Sequence, residues 1–309
     1  MGRYRRNAPC LAVAASLLAA AAIAFAAAAQ ISRPVDVVVL DVSVTDNRTP
    51  ISGLTKENFR VYEDGKPQQL SFFHGGDAPA TVGLVIDSSQ SMRLKRSEVV
   101  AASLGFVAGS NPEDEMFVTH FNDVVATGFP SGERFSSDQE KLRDALLAVK
   151  PAGRTSLYDA LMVAMRYLED GRHSRRALLV VSDGGDNQSR AKLDDVVEAA
   201  QRSNVTIYTV GIYDRNAKDR NPGVLRKLAK VTGGEFYEPR RLGQIHDICR
   251  HIAQDIRNRY TLGYVPQFSP DDQRFRKIEV RVESPGHEDL EAHTRPGYYP
   301  PQPQTAKAK

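Results

Sequence analysis

An apolar stretch, VGLVID, ends in an aspartate that is followed by two serines at alternate positions. These residues are Asp87, Ser89 and Ser91, within VIDSSQSM. A carboxylate and two hydroxyls at this spacing can direct several oxygens to one point, which is the chemistry of a hard-cation site. Taken alone, the same stretch is more typical of the cap of the following helix.

Two further oxygen-bearing residues occur in the same kind of position. Thr155 lies in the loop GRTSLYDAL before a helical pattern, and Asp183 ends the strand pattern RALLVVSD. Each alone is typical of a cap or a turn. Ligands of an open doubly wound sheet bind at the carboxyl ends of its strands, and therefore the three loops together predict one site.

The five predicted site residues carry only oxygen donors, which favours Mg²⁺, or Mn²⁺ or Ca²⁺, over zinc or copper. If the hydroxyls bind the ion directly and the aspartates bind it through water, the ion keeps much of its positive charge. It then has an open position that attracts a carboxylate from a partner. The predicted metal ligands are Asp87, Ser89, Ser91, Thr155 and Asp183.

The elements that position these residues alternate between apolar strands and amphipathic helices over residues 80–259. The strand patterns are TVGLVID, EMFVTHF, RALLVVSD, VTIYTVGIY and GEFYEP. Apolar residues at i, i+3, i+4 and i+7 between them mark helices. Continuous apolar strands separated by helices predict an α/β fold with a doubly wound, mostly parallel sheet covered on both faces.

The two flanks of this body have a β pattern. In VDVVVLDVSVTD, apolar and polar residues alternate as in a half-buried strand, and Asp64-Gly65 predicts a hairpin. Period-two patterns return after residue 260. We therefore expect residues 35–78 and 260–298 to form one small β domain into which the body is inserted. The tail, residues 299–309, has the composition of a disordered segment.

Residues 1–29 have the pattern of a secretory signal peptide, with Arg3, Arg5 and Arg6 ahead of an apolar run that ends in small residues. The alternative is a retained anchor helix, which is the one route to a membrane contact. Cleavage lowers Lys+Arg from 41 to 38 against 38 Asp+Glu, because the leader holds three arginines. The neutral remainder argues against nucleic-acid binding. We expect a periplasmic, envelope-associated or extracellular protein with Cys249 as a buried thiol.

The order D-x-S-x-S, a threonine in a G-x-T loop and a strand-end aspartate resembles the von Willebrand factor type A (vWA) domain and its metal-ion-dependent adhesion site. The resemblance covers about Ala80 to Tyr260. The flanks, including GLTKENFRVYEDGKPQ and YTLGYVP, are similar to the exported bacterial "VWFA-related" family. The resemblance implies a Rossmann-like sheet, Mg²⁺ or Mn²⁺ at the five residues, and protein partners recognised through an acidic residue. Gln90 departs from the glycine of many members.

These features predict a non-enzymatic protein-binding module for adhesion or assembly. One alternative is a scaffolding protein with a vestigial metal site, and another is a metal-assisted phosphohydrolase. Against the phosphohydrolase, serines follow Asp87 where a second carboxylate would be expected, and the chain has no P-loop motif. A serine hydrolase is also disfavoured, because no G-x-S-x-G motif occurs.

Overall fold

The computed structural model describes residues 37–47, 49–213, 220–267, 272–287 and 289–300. The predicted signal peptide and most of the predicted tail lie outside the described residues. The strands are β1 (Val38–Asp46), β2 (Thr49–Pro50), β3 (Phe59–Glu63), β4 (Lys66–Gln68), β5 (Leu70–His74), β6 (Ala80–Asp87), β7 (Glu115–Phe121), β8 (Val125–Thr127), β9 (Arg175–Ser182), β10 (Thr206–Gly211), β11 (Phe236–Tyr237), β12 (Tyr260–Tyr264), β13 (Arg276–Val282), β14 (Leu290–His293) and β15 (Gly297–Tyr298).

Helices alternate with the strands of the body. They are α1 (Arg96–Gly109), α2 (Gln139–Leu147), α3 (Leu157–Leu168), α4 (Leu193–Arg202), α5 (Pro222–Thr232) and α6 (Gln244–Asn258). Their apolar stripes face the sheet, as the side chains of Leu157, Leu161 and Leu168 in α3 show by being almost wholly buried. Cys249 of α6 is a buried free thiol, as predicted. Within the described ranges, no helix is long and apolar enough to cross a membrane.

A six-stranded sheet with the order β11-β10-β9-β6-β7-β8 forms the body. Its strands are parallel except β8, which pairs antiparallel with β7. The short strand β8 has no counterpart in the sequence-based prediction. Every residue of β6 is buried, because helices cover both faces of the sheet. Since β6 has β7 and β9 as neighbours, its carboxyl end meets theirs at one edge.

Strands from both flanks pair with one another. Five of them form a sheet with the path β14-β1-β12-β5 and β2 beside β1, and four form a sheet with the order β15-β13-β3-β4. The predicted hairpin joins β3 to β4 through Asp64 and Gly65, both at positive φ (48° and 77°). The predicted fold class is confirmed: a mostly parallel Rossmann-like sheet with a small β part built from both flanks. The exact domain bounds stay a prediction.

The prediction that β1 is half-buried is wrong, because both of its faces are buried. The polar side chains Asp41, Ser43 and Thr45 are only 6%, 4% and 8% exposed. They turn toward protein partners instead of water, and the hydroxyl of Thr45 lies 3.3 Å from the ring of His293 in β14. The hydroxyl of Thr261 donates to Asp41 (2.8 Å), and that of Ser43 donates to Asp255 of α6. Buried polar groups of this kind persist because each has a partner.

Buried charges join α6 to the strands around it. The guanidinium of Arg259, 2% exposed, donates to Asp255 (3.2 Å) and to the carbonyl of Gly233 (2.7 Å). The guanidinium of Arg175 donates to the carbonyls of Ile256 (3.0 Å) and Arg259 (2.8 Å), just past the end of the helix. These bonds satisfy terminal carbonyls of α6 that otherwise have no partner within the helix.

Candidate metal centre at the carboxyl edge of the sheet

Asp87 ends β6 and is held by hydrogen bonds from two directions. It is 3% exposed, and one carboxylate oxygen accepts from the backbone N–H of Ser89 (2.9 Å). The other oxygen accepts from the hydroxyl of Ser182 (2.7 Å), the last residue of β9. The carboxylate is therefore fixed in orientation by the loop that follows it and by the neighbouring strand.

The two predicted serines connect this loop to the end of β9. The hydroxyl oxygens of Ser89 and Ser91 are 3.0 Å apart, and the hydroxyl of Ser91 donates to a carboxylate oxygen of Asp183 (2.8 Å). The side chains of Ser89, Ser91 and Asp183 therefore form a hydrogen-bonded chain, and the backbone N–H of Ser89 joins Asp87 to it. These bonds connect four of the five predicted residues, three of them through side chains and Asp87 through the backbone of the loop.

These serines do not serve as helix caps, which was the competing interpretation of the motif. Ser89 precedes a short 3₁₀ turn at Gln90–Met92 and makes no side-chain cap hydrogen bond. Helix α1 starts later, at Arg96, with Lys95 at its N-cap position. Because their hydroxyls are not used by the α1 helix terminus, they can face Asp183.

Backbone contacts tie the loop of Thr155 to the loop after β6 and to the turn after β9. The N–H of Gln90 donates to the carbonyl of Gly153 (3.1 Å), and the N–H of Ala152 donates to that of Ser88 (3.0 Å). The N–H of Thr155 itself donates to the side chain of Asn187 (3.0 Å) in the loop after β9. The threonine loop thus lies against both other loops, and Thr155 is 6% exposed.

The turn after β9 depends on a glycine. Gly184 has φ of +76°, and a Cβ there would lie 2.4 Å from the carbonyl oxygen of Asn221. The N–H of Gly185 donates to the carboxylate of Asp183 (3.1 Å), and the N–H of Asn221 donates to the backbone carbonyl of Asp183 (3.0 Å). Only a residue without a side chain fits this close approach, which fixes the direction of the Asp183 carboxylate.

A second glycine joins the threonine loop to the turn after β7. Gly153 has φ of +73°, and a Cβ there would lie 1.8 Å from a carboxylate oxygen of Asp123. The other oxygen of Asp123 accepts from the N–H of Arg154 (3.0 Å). The β7–β8 turn therefore borders the same edge, because Phe121 at the end of β7 is in register with Asp87.

The electrostatics of the cluster favour a cation. The pKa of Asp87 is raised from its ordinary value of 3.8 to about 6, first by burial and then by the negative charge of Asp183. Hydrogen bonds from Ser89 and Ser182 act in the opposite direction. Two carboxylates that face each other across two hydroxyls repel when both are ionised, and a positive ion between them removes that cost.

The donor set fits a hard divalent cation. Within the part of the chain that the structure describes, no group of three or more His, Cys, Asp and Glu residues could hold a metal. The cluster at the strand ends has two carboxylates, and the hydroxyls supply the remaining oxygens. Mg²⁺ accepts such a set because it takes few protein ligands and keeps several waters.

Two supporting residues were missed from the sequence. Ser182 donates to Asp87 and accepts from the N–H of Gly184 (3.0 Å), so that it orients both strand-end turns. His120 of β7 lies 2.9 Å from the Ser88 hydroxyl and 2.9 Å from the Ala145 carbonyl. Burial lowers its pKa, and the neutral ring then donates to the carbonyl and accepts from the serine. In the sequence, both residues could have been noticed as polar residues within apolar strands.

Comparison with known proteins identifies the family. Residues 82–251 match the family model of the von Willebrand factor type A domain. The match takes in more than half of the 309 residues, and the chain belongs to this family. Its members are commonly protein-interaction or adhesion modules and are generally non-enzymatic.

Individual relatives are distant. An uncharacterized protein of Borreliella burgdorferi is 24% identical over 221 residues, which is 67% of this chain and 63% of that protein. A solved von Willebrand factor type A structure from Catenulispora acidiphila is 14% identical, with a TM-score of 0.53 over 86% of this chain and 74% of that one. The vWF domain of the type V pili tip protein Mfa5 from Porphyromonas gingivalis is 14% identical, with a TM-score of 0.48 over 58% of this chain and 95% of that one. The likeness to the Catenulispora acidiphila structure supports the fold alone.

Proposed function

We propose that this protein is an exported, non-enzymatic binding module that holds an acidic residue of a protein partner through a divalent cation. The ion is Mg²⁺, or Mn²⁺ or Ca²⁺, and its protein ligands are Asp87, Ser89, Ser91, Thr155 and Asp183. The observation that carries the proposal is the hydrogen-bonded chain from Ser89 through Ser91 to Asp183. It brings oxygens from two strand ends to one point without using them as helix caps.

The protein side chains have distinct parts in this proposal. The two aspartates supply negative charge that retains the ion, whereas the hydroxyls are neutral and leave part of its positive charge unbalanced. When bound, the ion supplies an electrophilic point that attracts a carboxylate. Ser182 and the N–H of Ser89 keep Asp87 in place, so that loading the site needs little rearrangement of this carboxylate.

Export is proposed from the leader pattern of residues 1–29. A basic start, an apolar run and small residues before the expected cleavage point are the features of a secretory signal. A protein-binding module in the cell envelope or outside the cell is consistent with a domain family that commonly serves in adhesion.

Calorimetric titration of the metal-free protein with MgCl₂ and MnCl₂ tests the site. We expect heat of binding in the wild type and none in Asp87→Asn, which keeps the shape of the side chain but removes its charge. Asp123→Asn is the matched control, since Asp123 lies at the same edge but outside the proposed ligand set, and it should bind as the wild type does. Equal binding in all three proteins would contradict the assignment of the site.

The binding function needs a second measurement. Envelope proteins captured by the immobilised wild type in Mg²⁺ should be lost on adding EDTA and should be absent with Asp87→Asn. Capture that survives both changes would favour a scaffolding protein whose metal site is vestigial.

A further inference from the structure

The most exposed large apolar side chains of the described residues lie at the edge that carries the candidate metal site. Leu94 is 85% exposed and Val124 is 69% exposed, whereas the next, Leu147, is 50% exposed. Isolated exposed apolar residues are ordinary on a protein surface. Here, however, the two highest values fall on two loops of one sheet edge.

Leu94 lies in the loop that holds Ser89 and Ser91, and Val124 lies in the turn that contacts the loop of Thr155. Leu94 follows Ser91 by three residues, in a turn closed by the bond from the N–H of Lys95 to the carbonyl of Met92 (3.0 Å). Val124 follows Asp123, whose carboxylate accepts from the backbone of Arg154 beside Thr155. Leu94 and Val124, here called the apolar pair, are therefore tied to the site through short backbone paths.

Two exposed arginines lie beside the apolar pair. Arg93, next to Leu94, is exposed; its backbone N–H donates to the carbonyl of Gln90 (3.3 Å), and its guanidinium makes no hydrogen bond or ion pair with another described residue. Arg154 is exposed, and its guanidinium donates to the neutral amide oxygen of Gln188 (2.9 Å). The carboxylate of Asp123, next to Val124, accepts from the backbone N–H of Arg154 (3.0 Å). The rim therefore offers unpaired positive charge beside exposed apolar surface.

We propose that the partner presents its metal-binding carboxylate between apolar side chains, within an acidic segment, and that those side chains pack on Leu94 and Val124. This inference rests on the proposed metal-dependent function and specifies the chemistry of its partner. The apolar contact excludes water around the carboxylate, and the arginines attract the segment. A few well-packed residues from which water is excluded commonly supply most of the affinity of an interface.

Labelled synthetic peptides on the full-length protein in Mg²⁺ test this proposal by fluorescence anisotropy. The probes carry the central sequence Leu-Asp-Leu, Ser-Asp-Ser or Leu-Asn-Leu in one common acidic frame. We expect Leu-Asp-Leu to bind at least about tenfold more tightly than Ser-Asp-Ser, which corresponds to about 1.4 kcal/mol. Leu-Asn-Leu and all EDTA samples should show no specific binding.

Variants assign the preference to the apolar pair. Leu94→Ser combined with Val124→Ser should abolish the tenfold preference, whereas Leu147→Ser, at the end of α2, should leave it intact. The Mg²⁺ affinity of each variant is measured alongside, so that loss of the ion is recognised.

The outcomes separate the two proposals. Equal binding of Leu-Asp-Leu and Ser-Asp-Ser in Mg²⁺, or a preference that survives the double substitution, would overturn the apolar contact and leave the metal-dependent function standing. Absence of any Mg²⁺-dependent difference between Leu-Asp-Leu and Leu-Asn-Leu would overturn the proposed function and this inference with it.

Discussion

Replacing Asp87 by asparagine should make the metal-free protein more stable while removing its response to Mg²⁺. Asp87 is 3% exposed and close to the negative charge of Asp183. Its pKa rises from 3.8 to about 6, and a folded-state value above the unfolded one means that ionisation opposes folding. This penalty is absent below about pH 4 and complete above about pH 6. At neutral pH it amounts to about 3 kcal/mol.

Asparagine avoids most of this penalty and keeps one acceptor oxygen for Ser89 or Ser182. Allowing for the altered hydrogen bonds, we expect a gain of about 1–3 kcal/mol in EDTA, where each kcal/mol raises Tm by about 2–4 °C in a domain of this size. In Mg²⁺ the order reverses. The wild type gains about 2.7 kcal/mol when the ion is at 100 times its Kd, and the variant gains little.

Thermal unfolding of both proteins in EDTA and in saturating MgCl₂ measures this reversal. Asp123→Asn should behave as the wild type does in both solutions. A variant that is less stable than the wild type in EDTA would refute the argument from burial and like charge. Equal stabilisation of both proteins by Mg²⁺ would show that Asp87 does not help to hold the ion.

Three further changes test the rest of the structure. Asp255→Ala should lower the free energy of unfolding by about 3–5 kcal/mol in urea titration, because it leaves the buried guanidinium of Arg259 unpaired, whereas Asp247→Ala on the exposed side of α6 should cost about 1 kcal/mol or less. Burial raises the pKa of Asp114 to about 6, so ionisation of this carboxyl lowers the free energy of unfolding as the pH rises from about 4 to about 6. Asp114→Asn, made in the Asp87→Asn background, should make this fall smaller. An unchanged dependence of stability on pH would contradict this prediction. Gly184→Ala should weaken Mg²⁺ binding at least about tenfold in calorimetry, because its Cβ meets a backbone carbonyl at 2.4 Å, and an unchanged affinity would show that the turn adapts.

Much of the candidate site could be predicted because it depends on strand ends. Continuous apolar strands indicated a parallel sheet, and a parallel sheet places Asp87 and Asp183 at one edge. The sequence does not tell which way a hydroxyl donates. The contribution of Ser182 was missed for this reason, since a small polar residue beside Asp183 could equally have bonded to the turn that follows. The position of Thr155 depends on contacts of Gly153 and Asn187 between loops. Hydrophobic periodicity in the sequence does not predict such contacts.

The misjudged face of β1 has a similar cause. Alternating polar residues show only that every second side chain needs water or a partner. The partners of Ser43 and Asp41 are Asp255 and Thr261, which are 212 and 220 residues away in sequence. Local alternation cannot report contacts at such separations, and the prediction therefore assigned this face to solvent.

The pairing of β1 with β12 also sets the order in which the chain can fold as it is synthesised. Every strand of the six-stranded sheet lies between them, so the ribosome releases that whole sheet before β12 exists. Apart from its short pairing with β2 at Thr45 and Asp46, the first strand of the described residues is consequently among the last to be paired, and until then it has an apolar edge open to other chains. Once the body has folded it holds its two ends together, which lowers the entropy cost of closing the flanking sheet. The flanking sheet therefore forms after the domain that it encloses, and a chain that ends before β12 leaves β1 without this partner strand.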